Sequence, residues 1–308
     1  MELKLTRRRF GQLAIAGTVV AVLGNFQRKV FSQISTPPLV VIGVRLGRIP
    51  SPDVDTGLDD PMPDADEISI VPSATVRLIL ESLDIADAQP KPLPIPQILV
   101  ESNDQVTGFT SLSDGTLVTA ITSLSTAKKG GGPTRLIVGP GPTTVTISGL
   151  KKNEQLGSLV GTKDGRLLGL VVKNNGRPSV RLVEVDWKTG NFASKSKLKL
   201  PENQWFSNLA ECPDGKLYIT GIDKGGTTSL LLLDLQKEKL DFITELKVND
   251  TSWDNGLESL VCSPANQLFA LGALRYEFPK ALYSVDQSSG VMMKLQNYDV
   301  IKITVVPS

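Results

Sequence analysis

Four short segments recur in this chain at an almost constant interval. Three of them contain an Asp-Gly pair with a leucine two residues further on, and the fourth has Asn266 in the position of the glycine. The leucines Leu117, Leu167, Leu217 and Leu268 are therefore spaced by 50, 50 and 51 residues. A repeat of this length predicts a solenoid, a propeller or a similar array of like units.

Each unit of roughly 50 residues contains the same parts. A polar segment precedes a short strand, the Asp-Gly turn leads to a second strand, and a third and a weaker fourth strand follow. Glycine accepts the positive φ that such a turn needs, and asparagine tolerates it better than most residues. Four antiparallel strands per unit predict a propeller blade. Second and third strands are predicted at 134–138, 167–173, 180–186, 217–222, 229–234 and 281–286.

The segments Cys212-Pro213-Asp214-Gly215 and Ser263-Pro264-Ala265-Asn266 resemble the turn that joins the two innermost strands in the β-propeller superfamily. Four full units occupy residues 101–300. Residues 38–100 supply three strands without a first one, and residues 301–308 have the pattern of a first strand. We therefore expect an all-β, five-bladed propeller closed by the C-terminal strand pairing with the N-terminal blade. Six blades are the alternative, if residues 47–73 hold further strands.

The N-terminal segment resembles a bacterial twin-arginine export signal, and Arg7, Arg8 and Phe10 carry the likeness. The apolar run at 13–23 is shorter than the roughly 20 residues that span a bilayer. The resemblance implies a signal peptide at 1–33 and a propeller domain at 34–308, exported already folded. The expected partner during export is the twin-arginine translocase. The expected location is the bacterial periplasm, or the thylakoid lumen in a photosynthetic cell, with no stable membrane span once the signal is cleaved.

The charge balance and the lack of histidine exclude several classes of function. The chain has 33 basic and 32 acidic residues and no basic stripe, so we expect no nucleic-acid partner. It contains no histidine, which excludes Ser-His-Asp and Cys-His catalysis and histidine-ligated metals. The chain shows no cofactor motif. Calcium, which takes oxygen ligands, is the ion that its residues suit.

Two cysteines, Cys212 and Cys262, lie one repeat apart. The repeat aligns Cys262 with Glu211 and not with Cys212, and side chains alternate along a strand. We therefore expect thiols on opposite faces of equivalent strands, and two buried free cysteines. A disulfide, which exported proteins favour, is the alternative.

The links from each fourth strand to the next first strand carry most of the candidate site residues, and we expect a binding site at the channel end where these links meet. Amide groups beside tryptophans favour a sugar or another polar ligand. Residues of these types also serve as loop caps, which is the interpretation that turn chemistry favours. The candidates are Asn103, Asn153, Asn203, Trp205, Trp253, Asp254 and Asn255.

Glu258 breaks the pattern of the repeat, because its equivalents are Thr107, Gly157 and Ser207. The segment from Asp254 to Leu260 is similar to a motif of the esterase-like phytase domains, and Asn255-Gly256-Leu257 is similar to one of lactonase-type propellers. The resemblance implies a hydrolase in which Glu258 ligates calcium with help from Asp254 or Asn255. A solvated glutamate at a strand entrance is the alternative, and we favour it.

An acidic insert at about 48–70 interrupts the N-terminal blade. We expect a mobile loop there and not a calcium-binding loop, because Leu58 stands where such a loop needs glycine. The function that these observations favour is a non-catalytic binding or scaffolding propeller with an unknown protein or small polar ligand. A calcium-dependent esterase, phosphoesterase or lactonase is one alternative, and a lectin-like sugar-binding protein is the other.

Overall fold

The computed structural model describes residues 39–48, 75–86, 89–96, 98–124, 133–139, 141, 143–173, 177–195 and 200–306. The predicted export signal, with Arg7, Arg8 and Phe10, lies outside these residues, and so does the predicted acidic insert from residue 49 on. Every regular element of the described part is a strand. No helix there is long and apolar enough to cross a membrane.

The strands form five blades. Blade 1 contains β1 (Val40–Arg48), β2 (Thr75–Asp84), β3 (Pro90–Pro92), β4 (Ile98–Glu101) and the last strand of the chain, β23 (Lys302–Val305). Blade 2 contains β5 (Asp104–Ser111), β6 (Leu117–Ser123), β7 (Thr134–Val138) and β8 (Thr143–Thr146). Blade 3 contains β9 (Glu154–Gly161), β10 (Leu167–Lys173), β11 (Arg177–Val185) and β12 (Phe192–Lys195).

Blade 4 contains β13 (Trp205–Glu211), β14 (Leu217–Ile222), β15 (Thr228–Asp234) and β16 (Lys239–Glu245). A two-stranded ribbon of β17 (Lys247–Val248) and β18 (Thr251–Ser252) follows it. Blade 5 contains β19 (Ser259–Cys262), β20 (Leu268–Gly272), β21 (Ala281–Val285) and β22 (Met292–Asn297). The strands of each blade are antiparallel.

The C-terminal strand closes the ring, as the sequence predicts. β23 pairs antiparallel with β1, with Val305 opposite Val41, and so becomes the inner strand of blade 1. The five inner strands β23, β5, β9, β13 and β19 contact one another in a closed cycle. Closure leaves no inner strand at an open edge, where unpaired main-chain groups would invite aggregation. The five-bladed propeller is therefore confirmed.

The Asp-Gly turns have the predicted conformation. Gly115, Gly165 and Gly215 have φ of +82°, +83° and +82°, and Asn266 replaces the fourth glycine at +60°. Asp114 stabilises its turn because its Oδ1 accepts a hydrogen bond of 2.9 Å from the main-chain N–H of the residue two positions on. The turns thus join the two innermost strands of blades 2 to 5.

The hydrophobic core lies between the blades. Each of the five junctions between neighbouring blades contains one cluster of buried apolar side chains drawn from both blades. A blade is therefore buried on both faces, which explains why its second strand is apolar almost throughout, as in β10.

Hydroxyl groups also join the inner strands, and we call these bonds clasps. At four junctions of the described ring, a Ser or Thr hydroxyl accepts a hydrogen bond from a main-chain N–H of the next inner strand. At the junction of blades 4 and 5, the side-chain amide of Asn208 instead donates to the carbonyl of Leu257 at 2.7 Å. The clasps are Thr304 with Ser111 N–H (3.0 Å), Thr110 with Gly161 N–H (2.8 Å), Ser158 with Leu209 N–H (3.1 Å) and Ser259 with Ile303 N–H (3.1 Å).

Cys212 and Cys262 form a disulfide, so the prediction of two free thiols is wrong. The alignment behind that prediction is correct, because Cys262 lies opposite Leu268 as Glu211 lies opposite Leu217. The mistake was to expect side chains on opposite faces to point apart. Neighbouring blades pack face to face, so the face of blade 4 that carries Cys212 meets the face of blade 5 that carries Cys262. The two Cα atoms are 5.1 Å apart, within the range that a disulfide requires.

Candidate ligand site at the channel mouth

The larger cavity of the described propeller lies on its axis, at the end where the Asp-Gly turns are. We call this the turn end, and we call the opposite end, where the links between blades run, the link end. The cavity has a volume of about 360 Å³, and we call it the mouth. All five blades contribute to it, through Ser111 and Leu112, Gly161 and Thr162, Glu211 and Cys212, Val261 and Cys262, and Val305 and Val306.

Apolar residues whose side chains also pack in the junctions between blades line the deep part of the mouth. Phe109, Leu159, Leu209 and Leu260 also line a second cavity of about 10 Å³, so the two cavities share an apolar boundary, the floor of the mouth. The small cavity is about the size that one water molecule needs. One equivalent residue from each blade surrounds it, namely Gly108, Ser158, Asn208, Ser259 and Lys302.

Lys302 crosses the channel below the floor. Its ammonium group donates a short hydrogen bond to the main-chain carbonyl of Glu258 on the neighbouring inner strand. Burial lowers the pKa of Lys302, because the charged form loses solvation there, and the Glu258 carboxylate only partly offsets this effect. Lys302 thus narrows the channel between the mouth and the link end.

Glu211 is the acidic residue of the mouth. It ends the inner strand of blade 4, where the other blades have Ser111, Gly161, Cys262 and Val305. One carboxylate oxygen accepts a hydrogen bond of 2.5 Å from the main-chain N–H of Lys163. Burial raises the pKa of Glu211 above its usual value, and the nearby Asp164 carboxylate adds to the effect.

The hydroxyl groups near the mouth are bonded within the protein. Ser111 Oγ donates to the carbonyl of Val305 at 2.6 Å, and Thr110 Oγ1 takes part in a clasp. Thr162 Oγ1 donates to Asp164 Oδ1 at 2.5 Å. These bonds hold neighbouring strands and turns together, and the carboxylate that Thr162 contacts is itself paired with Arg166.

At the link end, Glu258 lies among lysines. Its carboxylate forms an ion pair of 3.1 Å with Lys280, and its carbonyl accepts the bond from Lys302. Within the described residues, no three side chains of Asp, Glu or Cys come together as a metal site would require. Calcium binding by Glu258 therefore stays a prediction.

Trp253, Asp254, Asn255 and Glu258 all lie in the link between blades 4 and 5, but their side chains have separate partners. The Asn255 amide donates to the carbonyl of Ala273 at 3.0 Å, and the Asp254 carboxylate lies 3.8 Å from Arg275. Trp253 is fully buried and packs edge to face on Tyr283, with ring centroids 5.3 Å apart. Its indole is part of the hydrophobic core. The exposed Asp254 and Asn255 connect the link before blade 5 to the loop between β20 and β21.

The other candidates lie at the starts of blades 2, 3 and 4. Trp205 is 40% exposed at the start of β13, and Asn203 is exposed just before it. Asn153 adopts a φ of +70°, and the Asn103 amide donates to the carbonyl of Leu124 at 3.3 Å. One of the two tryptophans thus faces solvent, and two of the three asparagines serve loop conformation.

Buried ion pairs explain why polar segments recur before the inner strands. Asp104 is paired with Arg135, and Glu154 with Arg181 at 2.7 Å, each one residue after a candidate asparagine. Burial alone would raise the pKa of Asp104, but hydrogen bonds from Arg135 and Ser123 lower it on balance. The repetition of these segments therefore reflects the construction of the blades.

Neither the mouth nor Glu211 was predicted from the sequence. The signal was available, because Glu211 is the sole charged residue in its position of the repeat, as Glu258 is in its own. The prediction considered the link end alone, and a site there stays a prediction. The cavity of about 360 Å³ lies at the turn end.

No protein-family model matches this chain, and no curated protein matches it. Solved structures with a similar fold include a protein of unknown function from Bacteroides caccae, at 10% identity and a TM-score of 0.45, covering 88% of this chain and 100% of that one. A calcium-binding protein, regucalcin, from Agrobacterium tumefaciens has 14% identity and a TM-score of 0.41, with 76% and 75% covered. TolB from Acinetobacter baumannii has 12% identity and a TM-score of 0.44, with 76% and 55% covered. At these values the likenesses carry no argument about function.

Proposed function

We propose that this chain is an exported, non-catalytic binding propeller that takes a small ligand into the mouth at the turn end. The observation that carries the proposal is the mouth itself, a cavity of about 360 Å³ formed by all five blades. Its floor is apolar, and its open edge, the rim, carries hydroxyls, main-chain groups, the Glu211 carboxylate and Lys163, whose ammonium group is bonded to the carbonyl of Pro213. A pocket of this size with a few polar groups suits a small organic molecule.

The chemistry of the rim favours binding over catalysis. Glu211 has no second carboxylate in the mouth with which to divide acid and base functions. The hydroxyls of Ser111, Thr110 and Thr162 are bonded to carbonyls, a main-chain N–H or a carboxylate in the turn. The rim thus offers polar groups for orienting a ligand and no assembled nucleophile and base.

A ligand screen tests the binding site. Small molecules are screened by protein NMR, with the methyl signals of Leu159, Leu209 and Leu260 reporting on the floor. We expect bound compounds to shift these signals, and the rim variant Ser113→Trp to weaken binding at least tenfold. The matched variant Asn203→Trp places the same side chain at the link end and should leave binding unchanged. Compounds that bind equally well to Ser113→Trp would contradict a site in the mouth.

Export is supported by the disulfide together with the N-terminal motif. Disulfides persist in oxidising compartments such as the periplasm and are rare in the cytosol. The twin-arginine route carries folded proteins, and the 5.1 Å between the Cα atoms of Cys212 and Cys262 lets the bond form after transport in an already folded ring.

Cell fractionation tests the route of export. Arg7→Lys together with Arg8→Lys should retain the protein in the cytoplasm with two free thiols that react with a maleimide. The matched variant Arg9→Lys alters the variable position of the motif and should be exported with the disulfide formed. Equal export of both variants would contradict the twin-arginine route while leaving the binding proposal untouched.

A further inference from the structure

We infer that the mouth selects ligands in which a protonated amine is attached to a short apolar body. This inference rests on the proposed function and specifies the class of ligand. It starts from Glu211, whose carboxylate stands at the rim where every other blade has an uncharged residue.

Glu211 is a partly buried carboxylate that lacks a cationic partner among the described residues. The two basic side chains that act electrostatically on it are engaged elsewhere. Lys163 Nζ donates to the carbonyl of Pro213 at 3.2 Å, and Arg166 pairs with Asp164 at 2.8 Å. Among the described residues, the main-chain N–H of Lys163 is the one hydrogen-bond donor to the carboxylate, and it occupies one of the two oxygens.

The absence of a cation has an energetic consequence that favours a cationic ligand. A carboxylate removed from water without a partner destabilises the folded chain, and burial raises the pKa of Glu211 accordingly. The charged groups that influence it are Asp164, which raises the pKa, and Arg166 and Lys163, which lower it. A ligand ammonium near the free oxygen would form a charge-assisted hydrogen bond and remove this penalty.

The rest of the mouth determines the body of the ligand. Phe109, Leu159, Leu209 and Leu260 form an apolar floor below the carboxylate, and the Cys212–Cys262 disulfide forms part of the wall beside it. A ligand would place its apolar part on the floor and its amine at the rim. The volume of about 360 Å³ fits one ring with a short arm. Such a group occurs in a free arylalkyl amine and at the amino terminus of a peptide that begins with an aromatic residue.

Calorimetric titrations with matched probes test the inference. The free amine is represented by 2-phenylethylamine and its neutral counterpart by 2-phenylethanol. The peptide is represented by Phe-Gly-Gly amide with a free or an acetylated amino terminus. We expect the intact protein to bind the charged member of at least one pair about tenfold more tightly, as one charge-assisted hydrogen bond would give. The pair that shows the preference identifies the source of the amine.

The variant Glu211→Gln should bring this ratio close to one while the neutral probe still binds. Glu258→Gln, at the link end, should leave the ratio unchanged. Ammonium binding near the raised pKa of Glu211 should also release protons, which titrations in two buffers of different ionisation enthalpy detect. An intact protein that binds both members of each pair equally, or binds neither, would overturn the inference. If the neutral probe binds and Ser113→Trp abolishes that binding, the proposed function stands even when the preference for amines does not.

Discussion

Cys212 directly follows the inner strand of blade 4, and its sulfur is bonded to that of Cys262 in blade 5, although the two residues occupy different positions of the repeat. The bond lies in the wall of the mouth and spans the one junction where an amide, and not a hydroxyl, supplies the clasp. It therefore combines with the Asn208 bond to hold the last two blades together.

Loss of this disulfide should destabilise the propeller. The bond closes a loop of 50 residues, for which the chain-entropy model gives about 4 kcal/mol as an upper value. We expect a reductant to lower the denaturant midpoint of the natural protein. It should not change the midpoint of the variant Cys212→Ala/Cys262→Ala, which should already be low. Equal midpoints for the natural protein with and without reductant would contradict this expectation.

The contribution of each hydroxyl clasp to the stability of the folded protein should be measurable. Thr304→Val removes the acceptor of the Ser111 N–H at the junction that closes the ring, and leaves that buried group unpaired. The expected loss in the free energy of unfolding is about 1–3 kcal/mol. Thr110→Val should lower the free energy of unfolding by a similar amount at the next junction. The exposed Thr143→Val on β8 serves as the control, and a Thr304→Val variant of equal stability to it would show that the clasp contributes nothing.

The buried pairs of blades 2 and 3 should make the protein sensitive to acid. Burial is the largest single influence on Asp104 and Glu154 and by itself raises the pKa, but the hydrogen bonds from Arg135 and Arg181 together with those from neighbouring groups outweigh it and lower the pKa of both carboxyl groups. Their stabilisation is present above the usual carboxyl pKa of about 4 and is lost as the pH falls through the lowered values. Asp104→Asn should cost on the order of 3 kcal/mol at pH 7.

The pH dependence of unfolding separates this effect from general acid denaturation. The double variant Asp104→Asn/Glu154→Gln should lose less stability than the natural protein between pH 5 and pH 2, because fewer native carboxylates then take up protons. Parallel stability curves for the two proteins would show that these pairs are not the acid-sensitive groups.

Glu211 should show the opposite pH dependence. Its pKa is raised in the folded protein, so its contribution to stability is complete below the usual glutamate pKa of about 4.3 and is lost as the pH rises through the raised value. Glu211→Gln should therefore be more stable than the natural protein at pH 8, and this gain should disappear near pH 4. The glutamine oxygen can still accept the Lys163 N–H.

Glu258→Gln provides the comparison for that measurement. Glu258 is paired with Lys280, so its replacement should bring no gain in stability at any pH. If Glu211→Gln were less stable than the natural protein at pH 8, the carboxylate would be a structural group and not an unpaired one held ready for a ligand.

The local sequence pattern was sufficient to predict the blades and their turns. The predicted strands at 134–138, 167–173 and 217–222 match β7, β10 and β14, because each is an apolar run bounded by turn residues. Asn266 in the glycine position was predicted correctly, since its conformation depends on its own backbone and the adjacent residues. The candidate residues of the link end could not be assigned to the surface or the core from the sequence, and Trp253 illustrates why. A tryptophan in a link can face solvent or return to the core, and only the packing of Tyr283 against it decides.

The sequence by itself determined the number of blades, their turns and the strand that closes them, because repeat length and apolar alternation are properties of the chain that survive without tertiary contacts. Only the tertiary structure decided which residues come into contact across the junctions between blades. Opposite faces of neighbouring blades come together, which joins Cys212 to Cys262. The cavity at the turn end, and the lack of an ion pair to Glu211 among the described residues, likewise result from how five inner strands pack around one axis, and no single repeat contains that information.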